Sequence, residues 1–369
     1  MNINLIFTYG VSLKDWEISG ILDRELEMYR RMILNNGTVV NLITFGDNED
    51  DDILIDDENI NTYPVYKYIK KTRSPFLNFL SSFLIPFKLK EELKNGDLIK
   101  TNQLNGSWIG IILKFILKKP LIIRTGYNVY EFSKNERKSK IKQLFYFYLT
   151  KYSLKFSDKY LVSSNSDLVF LRENFSNTEN VVVFPNWVDS LKYNDFKNRY
   201  SNKVLSVGRL EDQKNYQFLI QKFANSKIEL DIVGEGSRKN ELKKLAKKNN
   251  VNVNFLGRVD YFELQEIYKN YRIFIMPSLF EGNPKALLEA LASGCLVFAL
   301  KNKNIEEIIV NKKNGILFTL ETDLNKEIEK YLYSENSFNS LTTGAYDYIK
   351  ENNLINILLE KEMEIYKKL

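Results

Sequence analysis

Residues 276–294 read MPSLFEGNPKALLEALASG, and this stretch decides how the second half of the chain folds. The runs on either side of it, YRIFIM before and CLVFAL after, are apolar and of strand length. Asn283 is a favoured N-cap, Pro284 suits the first helical position, and Gly294 suits a helix stop. The stretch therefore predicts a βαβ unit, with two parallel strands joined by a right-handed crossover.

Two acids in this stretch need a chemical explanation. Glu281 lies in the predicted loop, and Glu289 lies on a helix whose other residues are almost all apolar. A helix that is apolar on every side is a buried one, and a buried carboxylate needs partners. Because ligands of open parallel sheets bind beyond the carboxyl ends of the strands, the two acids indicate a ligand rich in hydroxyl groups. The alternative is a solvated loop acid and a helix acid paired with a lysine.

The composition bounds the class of protein. With 369 residues, 44% of them hydrophobic and 27% charged, the chain is expected to fold as a globular protein of two domains. Its one cysteine, Cys295, falls in a predicted buried strand, which excludes internal disulfides and Cys-based metal sites and favours a reducing, cytoplasmic compartment. The absence of histidine excludes histidine metal ligands, histidine general bases and Ser-His triads.

Strand and helix signals alternate through both halves, which predicts an α/β fold with two doubly wound domains. The expected boundaries are 1–190, 200–345 and a helical tail at 346–369, with the polar stretch Pro185 to Asn202 as the linker. The opening MNINLIFTYG is expected to be a first strand rather than a signal peptide. The expected strands are Asn4 to Thr8, Thr38 to Phe45, Asp97 to Thr101, Leu121 to Thr125, Lys159 to Ser163, Val181 to Phe184, Val204 to Val207, Glu229 to Val233, Val251 to Leu256, Arg272 to Met276, Cys295 to Leu300 and Gly315 to Phe318.

Charge is unevenly spread along the chain. Asp47 to Asp52 is expected to be a solvated acidic loop. Tyr63 to Lys94 and Lys134 to Lys159 mix aromatic residues with lysines, and either a membrane interface or core-facing helices with solvated lysines would explain them. The net charge of +6 fits ordinary surface charge, or attraction to an anionic membrane or a phosphorylated ligand. No nucleic-acid-binding motif accompanies the basic residues.

Two further strand ends in the second half carry polar or glycine-rich signals. Gly208 and Arg209 follow a predicted strand, and Lys214 comes five residues after Arg209. Such a cation pair can hold a diphosphate, although two surface cations in a loop are the plainer interpretation. Gly234 and Gly236 form a Gly-x-Gly turn after the next strand, which allows close backbone approach to a ligand but is often only a turn.

Polar residues also follow strands in the first half. Gly10, after the first strand, could let the backbone approach a phosphate or could belong to a plain turn. The other residues at this edge are suited to bind a second substrate, the acceptor, and they are Gln103, Asn105, Arg124, Tyr127 and Asn128.

Taken in order, these motifs resemble one known family. Gly208-Arg209 with Lys214, the Gly234 turn, FLGRV at 255–259 and the stretch from Pro277 through Glu281 to Glu289 are similar to the nucleotide-sugar domain of glycosyltransferase family 4. PNWVD at 185–189 resembles the inter-domain Pro-Asn-Gly-Val-Asp of that family, with tryptophan in place of glycine. The resemblance runs through residues 185–300, and the first half shares only the architecture.

The resemblance implies a GT-B fold, with two Rossmann-like domains facing across a cleft and a last helix crossing back to the first domain. It implies a metal-independent, cofactor-independent enzyme that uses a UDP- or GDP-sugar with retention of configuration. Arg209, Lys214 and Glu281 would be the catalytic residues. Glu289 would bind the ribose, and the donor would also contact Gly10, Gly208, Gly234, Gly257, Arg258, Gly282, Asn283, Pro284 and Lys285.

The chain departs from the family at one point. Many members place a histidine near the donor sugar, where this chain has Arg124-Thr125-Gly126-Tyr127. A front-face displacement, in which a donor phosphate oxygen takes the acceptor proton, needs no side-chain base. We therefore expect transfer of a hexose or N-acetylhexosamine to a growing cell-surface glycan or lipid-linked acceptor, with peripheral membrane contact as an added expectation. A sugar-nucleotide epimerase or hydrolase, or a non-catalytic nucleotide-sugar binder, are the alternatives.

Overall fold

The computed structural model describes residues 1–54, 57–191 and 195–369 and places their strands in two sheets. Lys192, Tyr193 and Asn194, part of the predicted linker, lie outside the described residues. The strands are β1 (Asn2–Ile6), β2 (Val39–Thr44), β3 (Ile60–Pro64), β4 (Leu98–Thr101), β5 (Leu121–Arg124), β6 (Lys159–Val162), β7 (Val181–Val183), β8 (Tyr200–Val207), β9 (Glu229–Val233), β10 (Val253–Gly257), β11 (Tyr271–Met276), β12 (Leu296–Leu300) and β13 (Ile316–Phe318).

Helices connect and cover these strands. They are α1 (Leu13–Ile18), α2 (Leu22–Asn36), α3 (Glu49–Asp52), α4 (Pro75–Ser82), α5 (Ile85–Lys88), α6 (Lys90–Leu93), α7 (Ser107–Leu117), α8 (Val129–Asn135), α9 (Lys140–Phe156), α10 (Asn165–Asn174), α11 (Tyr216–Lys222), α12 (Lys239–Lys248), α13 (Tyr261–Lys269), α14 (Lys285–Ala292), α15 (Leu324–Leu332), α16 (Glu335–Asn352) and α17 (Ile355–Lys367). In the described ranges, none of these helices combines the length and the apolarity needed to cross a membrane.

Both sheets have parallel strand pairs and a doubly wound order. The first sheet runs β3-β2-β1-β4-β5-β6-β7, and the second runs β10-β9-β8-β11-β12-β13. In each sheet the order reverses beside the strand that comes first in sequence, between β1 and β4 and between β8 and β11. Loops leaving the carboxyl ends of those strands diverge to opposite sides, and the crevice between them is where such sheets bind ligands. The predicted α/β fold with two doubly wound domains is confirmed.

Strands β11 and β12 are largely apolar on both faces because both faces of the sheet are covered there. In β11, Ile273 and Ile275 join one hydrophobic cluster, while Phe274 and Met276 join another that includes Leu287 of α14. This arrangement explains why the flanking runs of the opening stretch show no alternation of polar and apolar residues. The predicted βαβ unit is confirmed by the parallel pairing of β11 with β12.

The chain divides into two compact units. One contains Met1–Phe184 together with Leu359–Leu369, and the other contains Pro185–Leu358. In the first unit, Glu362 on α17 pairs with Lys100 on β4, and both side chains are fully buried. Glu362 also accepts a hydrogen bond from the Tyr366 hydroxyl at 2.5 Å. A buried ion pair therefore ties the last helix to the centre of the first sheet.

The tail from Tyr346 to Leu369 is not the single helix that the sequence predicted. The helical pattern breaks at Asn353, where α16 ends and α17 follows two residues later. The carbonyl of Asn353 accepts from the Val188 amide at 2.9 Å, and the Asn353 side chain donates to the Asn186 carbonyl at 2.7 Å. These bonds to a distant segment replace intrahelical ones, so the break is set by tertiary contacts.

The acidic stretch Asp47 to Asp52 is mostly exposed, as expected, but it is not a loop and one of its acids is buried. Most of it forms α3, and Asp50 is only 1% exposed. The Asp50 carboxylate accepts from the backbone amides of Leu13 and Lys14, each at 3.1 Å, and from the Thr44 hydroxyl at 2.5 Å. The stretch thus caps the N-terminus of α1, a role that a run of acids does not reveal.

Candidate functional site

A buried ion pair lies where the strand order of the second sheet reverses. Lys214 follows β8 in a short 3-10 turn, and Glu281 lies in the loop after β11, the strand beside β8. Lys214 Nζ and Glu281 Oε1 are 2.5 Å apart, and the exposed fractions of the two side chains are 14% and 8%. Two residues to which the family resemblance gives catalytic roles are therefore in direct contact at the edge where sheets of this kind bind ligands.

The two loops that carry this pair are joined by further hydrogen bonds. The Leu279 amide donates to the Gln213 carbonyl at 2.9 Å, and the Gln213 side-chain amide donates to the Phe280 carbonyl at 2.7 Å. These hydrogen bonds tie the loop that carries Lys214 to the loop that carries Glu281.

Glycines line the same edge of the sheet. The Gly208 amide donates to the Val233 carbonyl at 3.0 Å, and the Gly234 amide donates to the Gly257 carbonyl at 2.7 Å. Gly234 has a φ of +139°, and a Cβ at this position would lie 2.0 Å from the Gly208 carbonyl oxygen. Packing between neighbouring loops alone therefore requires glycine at Gly234, and it leaves bare backbone at the edge.

Arg209 and Arg258 are the exposed cations predicted for this edge. In the described parts of the chain, the guanidinium of Arg209 has no hydrogen bond or ion pair. Its neighbour Glu211 accepts from the Ser237 amide at 2.9 Å and the Ser237 hydroxyl at 2.7 Å. These two hydrogen bonds lower the pKa of Glu211, and the charge of Arg209 adds to the effect. Among the described residues, Arg209 therefore has no hydrogen bond or ion pair to break when its guanidinium turns toward a ligand.

Tyr216 is a residue of this site that the sequence analysis missed. Its hydroxyl donates to the Gly208 carbonyl at 3.4 Å, and a Cβ at Gly208 would lie 3.1 Å from that hydroxyl and 3.2 Å from Cε of Lys214. Burial raises the pKa of Tyr216, and the charge of Glu281 raises it further, so the phenol stays neutral. An aromatic residue two positions after a lysine gives no signal in the sequence, which is why Tyr216 was overlooked.

Glu289 is buried on α14, as its apolar neighbours predicted. It is 3% exposed, and one of its carboxylate oxygens accepts from the Tyr268 hydroxyl at 3.3 Å. Tyr268 is itself fully buried and was also missed. A tyrosine of α13 therefore helps to hold a carboxylate that the sequence analysis could only describe as needing partners.

The start of α14 differs from the prediction by one residue. Pro284 is the N-cap, in an extended conformation, and the helix begins at Lys285. The side chain of Asn283, expected to cap the helix, instead accepts from the backbone amide of Asn186 at 2.9 Å. Lys285 Nζ lies 5.3 Å from the centre of the Trp187 ring. The PNWVD segment and the residues from Gly282 to Lys285 are thus one connected structure.

In the first domain, Gly10 lies beside the reversal point of the first sheet. It has a φ of +80°, with open space around a built Cβ, and the neighbouring amide of Tyr9 donates to the Asn105 carbonyl at 3.0 Å. The loops after β1 and β4 therefore meet, as expected for a binding edge. The amides at the start of α1 are already occupied by Asp50, so this helix end does not offer them to a phosphate.

The other acceptor candidates lie on the neighbouring strand ends, where several of them contact other residues of the first domain. Gln103 Oε1 accepts from the Gly126 amide at 2.9 Å, and Asn128 caps α8 by accepting from the Glu131 amide at 3.2 Å. The ring of Tyr127 is 38% exposed, and the Arg124 guanidinium lies 5.4 Å from the centre of the Phe184 ring. Tyr127 is the exposed member of the group, whereas Gln103, Asn105 and Arg124 are half-buried and Asn128 is buried.

Comparison with known proteins gives the site a context. Residues 191–348 match the family model described as Glycosyl transferases group 1. A Campylobacter jejuni α-1,4-N-acetyl-D-galactosaminyltransferase, named for a glycan on undecaprenol diphosphate, is 26% identical over 65% of this chain and 66% of its own length. An Escherichia coli α-1,3-galactosyltransferase, named for UDP-Gal and GlcNAc-diphosphoundecaprenol, is 26% identical over 65% of this chain and 67% of its own.

A solved structure supports the fold independently. The Anabaena protein HepE, in complex with UDP and glucose, matches the chain with a TM-score of 0.78 over the full length of both chains. The two sequences are 16% identical, so the likeness speaks for the fold and leaves the substrate open.

Proposed function

We propose that this chain, which has the GT-B fold, is a family-4-like glycosyltransferase that transfers a hexose or N-acetylhexosamine from a UDP-sugar with retention of configuration. The observation that carries the proposal is the Lys214–Glu281 pair at the reversal point of the second sheet, with exposed Arg209 on the adjoining loop. A GDP-sugar is the alternative donor.

Under this proposal, the two cations bind the diphosphate of the donor. A lysine ammonium carries three donor hydrogens, so Lys214 can satisfy Glu281 and still donate to phosphate oxygens. Arg209 adds a planar guanidinium that can bind two oxygens at once. Negative charge grows on the diphosphate as the bond to the sugar breaks, and both cations stabilise it.

The acceptor needs no side-chain base in this scheme. Its hydroxyl oxygen forms the new bond to the anomeric carbon on the face that the leaving diphosphate vacates, and its proton passes to a phosphate oxygen of the donor. Glu281, held by Lys214, positions the sugar hydroxyls, and Glu289 binds the ribose. The bare backbone at Gly208, Gly234 and Gly257 lets the nucleotide approach the sheet edge.

We also propose that the acceptor is a growing glycan carried on a lipid diphosphate, presented at the cytoplasmic face of a membrane. The C. jejuni and E. coli relatives are both named for undecaprenol-diphosphate-linked acceptors. The polar residues at the edge of the first sheet, with Tyr127 the most exposed of those described above, are the proposed acceptor contacts.

The sharpest test uses Arg209→Ala, since an exposed side chain can be removed without disturbing the fold. Loss of one such charge from a developing oxyanion lowers turnover by about 10²–10³-fold. Lys214→Ala and Glu281→Ala should lower it similarly, and Lys248→Ala, an exposed lysine on α12, should not. Turnover close to that of the native chain in all three site variants would refute the assignment.

Product analysis separates this reaction from the alternatives. UDP release that depends on an acceptor supports transfer, whereas UDP or an altered sugar nucleotide formed without acceptor indicates hydrolysis or epimerisation. Calorimetric binding of a nucleotide sugar with no turnover on any acceptor indicates a binding protein. A thermal-shift series with UDP- and GDP-sugars identifies the nucleotide, because a ligand raises the melting temperature by mass action. A chelator should leave turnover unchanged if no metal takes part.

A further inference from the structure

The positive charge of this protein is concentrated in two stretches of the first domain. Residues 59–90 and 137–157 contain no aspartate or glutamate, and each contains six lysines and arginines. The rest of the chain has 41 basic residues against 47 acidic ones, so it is net negative by six although the whole chain is net positive by six. These two stretches therefore account for the entire basic character of the protein.

The same stretches carry a concentration of exposed apolar side chains. On α4 and the residues that follow it, Phe76 is 67% exposed and Phe87 is 57% exposed. On α9, Ile141 is 83% exposed, Leu144 is 56% exposed and Tyr148 is 44% exposed. Single exposed apolar residues are ordinary on a protein surface, but a contiguous group rimmed by one sign of charge marks an interaction site.

The two groups form one surface because α4 and α9 meet over a shared aromatic centre. The ring centroids of Phe79 on α4 and Phe145 on α9 are 5.9 Å apart, and those of Phe79 and Trp108 on α7 are 5.2 Å apart. Leu80 adjoins Phe79 in sequence and is 47% exposed, and Leu144 adjoins Phe145. The exposed side chains therefore surround a packed cluster of aromatic rings.

Burial against the domain core does not account for the outer side of α9. Its inner side contributes Leu149, Ser153 and Leu154, which are buried, and Ser153 donates to the Ser107 hydroxyl of α7 at 2.8 Å. The residues Ile141, Leu144 and Tyr148 follow helical spacing along the opposite side. One side of the helix faces the core, as one interpretation of this segment predicted, and the other side is apolar and exposed.

We propose that this surface docks the first domain onto a bilayer containing anionic phospholipid. Phe76, Leu80, Phe87, Ile141 and Leu144 would enter the boundary between headgroups and acyl chains, and the surrounding lysines would contact lipid phosphates. The net charge of the two stretches favours a membrane, because a mainly basic rim complements an anionic leaflet and repels a second copy of itself. Acids just outside the stretches pair with only some of the lysines, as Asp51 does with Lys67 and Glu136 with Lys138. The inference builds on the proposed lipid-linked acceptor, which such docking would bring within reach.

Vesicle flotation tests the proposal without any need for turnover. The full chain is mixed with vesicles of phosphatidylcholine alone, or of phosphatidylcholine and phosphatidylglycerol in equal parts. We expect binding to the anionic vesicles that weakens as salt is raised. Ile141→Ser with Leu144→Ser removes apolar contacts, and Lys140→Glu with Lys142→Glu removes charge; each pair should reduce partitioning roughly tenfold or more.

Matched pairs on the second domain serve as controls. Val310→Ser with Tyr333→Ser, and Lys247→Glu with Lys248→Glu, change residues that are also exposed and should leave vesicle binding intact. Equal binding to both vesicle types, or full binding by the α9 variants, would overturn the proposal. A chain that binds no vesicles but self-associates in solution, in a way that Ile141→Ser with Leu144→Ser abolishes, would also overturn the proposal. Vesicle binding by a chain that fails to transfer sugar would refute the proposed function but not the membrane docking.

Discussion

The backbone conformation and the loop packing at Gly234 both depend on the absence of a Cβ. Its left-handed backbone and the 2.0 Å approach of the Gly208 carbonyl mean that Gly234→Ala must both strain φ and push two loops apart. We expect a loss of about 2–5 kcal/mol in unfolding free energy from strain and overpacking together. Gly10→Ala is the matched variant, since a Cβ there meets nothing within 4 Å and only φ is strained, at about 1–2 kcal/mol. Denaturant titration of both variants gives the comparison, and equal losses would contradict this account.

The thiol of Cys295 should be unreactive in the folded protein. Burial raises the pKa of its thiol to about 11, and the side chain is fully enclosed at the start of β12. The thiolate is the reactive form, so a disulfide reagent at neutral pH should label the thiol only after denaturation. Labelling of the native chain at the rate of the denatured chain would show that β12 opens readily.

For single residues, the sequence predicts which side chains are buried better than it predicts which residues they contact. Cys295 and Glu289 were placed correctly inside the protein because their neighbours are apolar. The hydroxyl of Tyr268, which Glu289 uses, and the contact of Tyr216 with Gly208 depend on elements that are adjacent only after folding. No local pattern encodes such pairs, so they had to come from the structure.

At the scale of elements, α17 depends on its ion pair with β4. Burial lowers the pKa of Lys100, but Glu362 and Tyr29 together raise it by more, so the net shift is upward. Burial raises the pKa of Glu362, but Lys100, Arg124 and Tyr366 together lower it by more, so the net shift is downward. The pair therefore stabilises the fold above the unfolded pKa of glutamate, near 4.3, and below that of lysine, near 10.4. The contribution of Glu362 is lost as pH falls through its lowered pKa, and that of Lys100 as pH rises through its raised pKa.

Glu362→Gln should destabilise the chain by about 3–5 kcal/mol at neutral pH, because it leaves the ammonium of Lys100 buried without its counter-charge. Adding Lys100→Met to that variant should recover much of the loss. Chemical denaturation of the single and double variants measures both effects. A single variant as stable as the native chain would mean that water or another group reaches Lys100.

Boundaries of elements were predictable where local chemistry sets them. Gly294, with φ of +72°, follows the end of α14 as expected. The predicted cap at Asn283 and the predicted continuous helix through Asn353 were wrong because Asn186 and Val188, distant in sequence, take part in the backbone bonding there. β3 was missed because its outward positions are polar, which is normal for an edge strand and weakens the pattern that identifies one.

For the whole molecule, the absence of histidine has a measurable consequence. No histidine is present to titrate near neutrality, and the only cysteine has a pKa raised to about 11. Folded and unfolded chains should then bind nearly equal numbers of protons from about pH 6 to 8, so the unfolding free energy should be flat across that range. Denaturant titrations at constant ionic strength test this, and a slope equivalent to one proton or more would reveal a strongly shifted carboxylate.

The architecture was readable from the alternation of strand and helix signals, because parallel strands buried on both sides have a distinctive apolar character. The second domain could also be recognised from motifs, whereas the first domain could not. Its strand ends are held by contacts such as Gln103 with Gly126 and Tyr9 with Asn105, which leave few signature residues.

The pairing of Lys100 with Glu362 also orders events during synthesis. The two residues are 262 positions apart, and ribosomes add about 5–20 residues per second. Lys100 therefore emerges roughly 13 to 50 seconds before its counter-charge exists. Throughout that interval β4 carries a lysine that cannot yet be buried at low cost, so the domain translated first is the one completed last.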